Sequence, residues 1–67
     1  MKTLDEIIND IEALKLGWLI RTDEEKGYFA HIYGSNYINN FGECGLSTKS
    51  YNSCKVAALL CCFEALP

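Results

Sequence analysis

The sequence predicts an α+β fold of order αβββα: a three-stranded antiparallel sheet with two helices packed on one face. Three observations predict it. The chain opens on a capped amphipathic helical pattern, runs through aromatic and β-branched strand-like segments, and closes on an apolar helical segment. At 67 residues it is read as a single domain, residues 1–67, so all these elements must share one core.

The first helix is read from Thr3-Leu4-Asp5-Glu6, a capping-box pattern in which Thr3 and Glu6 each satisfy the other's backbone N–H. Leu4, Ile7, Ile8, Ile11 and Leu14 follow at helical spacing, with Asp5, Glu6, Asp10, Glu12 and Lys15 on the opposite side. Asp5 and Glu6 also complement the positive end of the helix dipole. Gly17 is expected to stop the helix.

Trp18 to Thr22 and Tyr28 to Tyr33 read as two strands, joined by the loop Asp23-Glu24-Glu25-Lys26-Gly27, where Gly27 is free to take a left-handed position. If Thr22 faces Tyr28, Ile20 faces Ala30 and Trp18 faces Ile32 on a core side. The other side then carries Leu19, Arg21, Phe29, His31 and Tyr33. Gly34-Ser35-Asn36 is expected to turn, and a third strand is expected over Asn40 to Leu46, weakened by Gly42 and Gly45. Ser47, Thr48 and Ser50 are expected to cap a last helix from Tyr51 to Leu66.

That last helix carries two apolar stripes. At about 100° per residue, Cys54, Ala57, Ala58, Cys61 and Ala65 form one of small side chains, and Val56, Leu59, Leu60 and Phe63 one of large side chains. One stripe is enough for an ordinary surface helix. The second needs another cover: the first helix, a second copy of the chain, or a partner. The large stripe is therefore a candidate homodimer or partner helix.

The overall balance is mildly acidic, six basic against nine acidic residues for a net charge of -3, which argues against a phosphate-backbone binder. Direct nucleic-acid binding is therefore not expected. No stretch is apolar for long enough to span a membrane or serve as a signal peptide. The expectation is a cytoplasmic chain without membrane contact. Cys54, Cys61 and Cys62 read as reduced core thiols.

Chemistry is thinly represented. His31 is the one imidazole, and Cys44 is expected near it if the third strand pairs beside the second, but no third orienting group or oxyanion donor accompanies them. No Cys-x-x-Cys pair is present for a metal. No catalytic, cofactor or metal residue is assigned, and the chain is not read as an enzyme. Two surfaces remain as candidates. Asp5, Glu6, Asp10, Glu12, Asp23, Glu24 and Glu25 form an acidic surface able to mimic nucleic-acid phosphates or simply to be solvated. Leu19, Arg21, Phe29, His31 and Tyr33 form a sheet face with the aromatic and Arg content of partner-binding surfaces.

Two resemblances bear on this. The αβββα order with Gly45-Leu46-Ser47 leading into Ser50-Tyr51-Asn52-Ser53-Cys54-Lys55-Val56-Ala57-Ala58 is similar to the end of a double-stranded-RNA-binding domain. Only Lys55 keeps a lysine of that family, and its phosphate-gripping pair falls on Tyr51 and Asn52. Gly17-Trp18 and Cys54-Lys55-Val56-Ala57-Ala58-Leu59-Leu60 resemble small phage-encoded proteins of the α-β-sandwich type, and the hairpin Asp23 to Tyr33 resembles that of HicB-type antitoxins. The phage resemblance implies a non-enzymatic accessory protein. Such a protein inhibits a host protein or ribonucleoprotein, such as a CRISPR or other anti-phage defence complex, by covering its surface. The alternatives are an RNA-binding module and a HicB-like antitoxin.

Overall fold

The computed structural model describes residues 2–38 and 44–66, with side chains described throughout except at positions 35–38, 44 and 45. The order is α1 (Leu4–Ala13), β1 (Gly17–Asp23), β2 (Gly27–Ile38), β3 (Cys44–Asn52) and α2 (Lys55–Glu64). The sheet is antiparallel in the order β1-β2-β3, so β2 is central. Both helices cover the same face.

Helix α1 starts as its sequence dictates. Thr3 Oγ1 accepts from the Glu6 N–H and Glu6 Oε1 accepts from the Thr3 N–H, closing the capping box. Its end differs from expectation. Lys15, not Gly17, takes the left-handed position with φ 61°, while the Lys15 N–H donates to the Glu12 carbonyl and the Leu16 N–H to the Ile11 carbonyl. This is a Schellman stop whose left-handed residue lies two positions before Gly17. Gly17 instead opens β1 opposite Tyr33, where a Cβ would fall inside the Tyr33 ring.

The β1–β2 register pairs Thr22 with Tyr28, Ile20 with Ala30 and Trp18 with Ile32, as the alternation predicts. Asp23 Oδ1 accepts from the Glu25 and Lys26 N–H groups at 2.9 and 2.8 Å, and Gly27 turns the chain with φ 93°.

The second half of the sheet departs from the sequence reading. The backbone of β2 continues through Gly34-Ser35-Asn36, with its register to β3 shifted between Gly34 and Ile38. The expected third strand, Asn40 to Leu46, falls partly outside the described residues. The observed strand begins at Cys44 and runs to Asn52. Ser47, Thr48 and Ser50 are thus strand residues rather than helix caps, and α2 begins at Lys55 rather than Tyr51. The cause is pairing: Tyr51 lies opposite Phe29 and Lys49 opposite His31, and strand-forming side chains with a partner outweigh a weak helical periodicity.

The core is small. Ile7, Ile11, Ala30, Ile32, Ala58, Leu59 and Cys62 are fully buried, with Leu4, Ile8, Leu16, Trp18, Ile20, Tyr28, Val56, Leu60, Phe63 and Leu66 packed around them. Each large member contributes about 1.5–3 kcal/mol by leaving water. Three side chains tie α2 to the sheet. Ser50 donates to the Ala58 carbonyl, Thr48 Oγ1 to the Cys62 carbonyl at 3.1 Å, and Cys62 Sγ to the Ala30 carbonyl at 3.3 Å.

Helix α2 is therefore covered by the sheet on one side and by α1 on the other. Its core line takes Ala58 from the expected small stripe, Leu59 from the large one, and Cys62, which belonged to neither. Of the three cysteines expected as core thiols only Cys62 is one; Cys54 and Cys61 are exposed.

Candidate functional site

Alternation along the strands sends every second side chain away from the helices. On β1 these are Leu19 and Arg21, and on β2 Phe29, His31 and Tyr33. On β3 they are Ser47, Lys49 and Tyr51. The structure thus brings together all five sheet-face residues singled out from the sequence. It adds three that the sequence reading placed in a loop or helix.

The added residues change the character of the face. Tyr51, Phe29, His31 and Tyr33 form a continuous row of rings, with neighbouring centroids 5.1, 6.2 and 5.3 Å apart and tilted by 46–51°. Tyr33 and Tyr51 are 44% and 49% exposed, while Phe29 and His31 are half-buried. Cations flank the row. The Arg21 guanidinium lies 5.3 Å from the centre of the Phe29 ring, and the Lys26 ammonium 4.4 Å from that of Tyr51. Lys49 stands opposite His31.

His31 Nε2 lies 2.8 Å from Ser47 Oγ, a hydrogen bond that orients the ring. Its pKa is lowered from the ordinary 6.5, first by partial desolvation and then by the charges of Lys49 and Arg21. A shallow depression of about 210 Å³ opens at the hairpin end of the row, lined by Arg21, Thr22, Asp23, Phe29 and Tyr51. Asp23 is the one acidic group there, and its carboxylate is held by the turn amides.

The other candidate residues lie elsewhere. Among the acidic set, Asp5, Glu6, Asp10 and Glu12 belong to α1, where Glu6 serves the capping box and Asp10 pairs with Lys2. Asp23, Glu24 and Glu25 belong to the hairpin. They form two groups rather than one surface. On α2, Leu59 is fully buried and Val56, Leu60 and Phe63 are half-buried, so the apolar surplus expected there is largely covered by the chain itself.

The register also separates His31 from Cys44. Cys44 pairs with Ile38 and His31 with Lys49, which puts Cys44 five residues along β3 from the imidazole, about 16 Å at 3.3 Å per residue. Among the described residues no three His, Cys, Asp or Glu side chains converge as metal ligands, and no helix is long and apolar enough to cross a membrane. On the helix side, a groove of about 510 Å³ runs between Leu4, Trp18, Ile20, Tyr28 and Lys55.

No protein-family model, curated protein or solved structure matches this chain. The functional reading therefore rests on the surface just described.

Proposed function

We propose that this chain is a non-enzymatic binding protein that covers a surface of another macromolecule, with the open sheet face as its docking surface. The observation that carries this reading is the uncovered row Tyr51-Phe29-His31-Tyr33 with Arg21, Lys26 and Lys49 around it. Both helices are spent on the opposite face, and a core this small has no structural need for four rings outside it. Exposed aromatic and Arg side chains give large contact area for little lost freedom, which is why they dominate binding hot spots. The resemblance to small phage proteins supports a host protein or ribonucleoprotein as the partner and inhibition by occlusion as the effect. A homodimer through α2 has less support, because Leu59 is sealed and its neighbours half-covered.

The test is a comparison of two double variants. Lys49→Glu/Tyr51→Ala alters the open face, and Asp5→Lys/Glu12→Lys alters α1. Each is mixed with purified defence nuclease complexes, then followed by size exclusion and by nuclease activity. Wild type and the α1 variant are expected to co-elute and inhibit, and the sheet variant to do neither. Loss confined to the α1 variant would transfer the function to acidic mimicry.

A further inference from the structure

The open face is a strip three strands wide, and the chemistry of its side chains points to the occupant. The rings supply flat apolar surfaces at intervals of 5.1–6.2 Å, and the side chains flanking them are cations.

We infer that the open sheet face is a platform for single-stranded nucleic acid, with bases stacking on Tyr51, Phe29 and Tyr33 and phosphates meeting Arg21, Lys49 and Lys26. This rests on the reading of that face as the working surface, and it names the occupant. A single strand presents bases free to stack on aromatic side chains, whereas a duplex keeps them paired and stacked on each other. The depression lined by Arg21, Thr22, Asp23, Phe29 and Tyr51 seats a base at the hairpin end. An acidic peptide would satisfy the cations and leave the rings without flat partners.

The net charge of -3 does not prevent this, because the charges are partly segregated. Asp5, Glu6, Asp10 and Glu12 lie on α1 and Glu64 on α2, behind the sheet, while Arg21 and Lys49 stand in front, and Lys26 shares the hairpin with Asp23, Glu24 and Glu25. The overall negative charge does make the complex weak and sensitive to salt.

Fluorescence anisotropy with labelled oligouridylate and oligothymidylate of about 12 nucleotides, at about 50 mM salt, tests the inference. Saturable binding to both strands is expected, with a 12-base-pair duplex bound at least about 10-fold more weakly. Tyr51→Ala and Tyr33→Ala, both at exposed positions, should each weaken binding by about 5- to 150-fold. Lys49→Gln should reduce the slope of log affinity against log salt by about 0.7. Circular dichroism checks that each variant is folded.

Absence of binding at low salt, indifference to both tyrosine variants, or equal binding of poly-glutamate would overturn the inference. If the oligonucleotides fail while Lys49→Glu/Tyr51→Ala still abolishes nuclease inhibition, the occupant is wrong and the docking face is right. If neither readout depends on this face, both readings fall.

Discussion

The same three strands present two surfaces of different chemistry, and the contrast shows how a short chain divides its side chains between cohesion and contact. Towards the helices, Ala30 and Ile32 are sealed, and the polar residues Thr48 and Ser50 are both used to bond α2. Away from the helices, the alternate positions carry rings and cations that touch one another and water. The first face is built around apolar volume. The second holds large apolar groups that stay at the surface, which is the ground for proposing it as a docking surface.

The sharpest way to break this contrast is thiol chemistry on α2. In a Cys44→Ser background, Cys54 and Cys61 should react with a soluble disulfide reagent as exposed thiols do. Cys62 should react at least about 10²-fold more slowly, through opening of the fold. Comparable rates for Cys61 and Cys62 would mean that α2 is not docked as described.

Next come matched truncations. Leu59→Ala empties a sealed site and should cost about 2–5 kcal/mol in a denaturant or thermal melt, a large part of the stability of so small a domain. Tyr33→Ala removes a larger side chain from the open face and should cost no more than about 1 kcal/mol, from its packing over Gly17 and against His31. Equal losses would show that the ring row is structural.

A pair of serines on one strand sharpens the comparison further. Ser50→Ala removes the bond to the Ala58 carbonyl and should cost about 1 kcal/mol. Ser47→Ala, three residues earlier on the other face, loses only an exposed bond to His31 and should stay within about 0.5 kcal/mol of wild type.

The smallest effect is electrostatic. The folded state holds the His31 pKa below its unfolded value, so its neutral ring favours folding above about pH 6.5. That contribution is lost as pH falls through the lowered value. Wild type should therefore lose slightly more melting temperature than His31→Asn between about pH 7 and pH 5. In the same window protonation adds a positive charge to the face and should tighten oligonucleotide binding.

Much of this architecture was legible in the residues alone, and what was not has identifiable causes. The capping box, the first hairpin and its register follow from strong local rules: a Thr–Glu pair, alternating aromatic and β-branched residues, and a turn aspartate before glycine. The stop of α1 was misplaced because the backbone accepted Lys15 at positive φ, a position usually taken by glycine. β3 was misread because Ser47 to Asn52 is polar and carries helix-cap residues, and its strand state comes from pairing with β2, a non-local effect. That error hid three of the eight residues of the open face. Lys49 and Tyr51 reach the open face only in the observed register, so the sequence reading saw one cation where the structure places a flanked aromatic row. A period-two reading of Leu46, Thr48 and Ser50 against Ser47, Lys49 and Tyr51 carries the missed signal.

Solvent paramagnetic relaxation on the free chain is the most direct test of the division between the two faces. A soluble gadolinium chelate should broaden the ring resonances of Tyr33 and Tyr51 strongly and those of Phe29 partly, and leave the methyls of Ile7, Ile11, Ile32 and Leu59 sharp. Protected tyrosine rings, or exposed isoleucine and Leu59 methyls, would contradict an open face set against a sealed one.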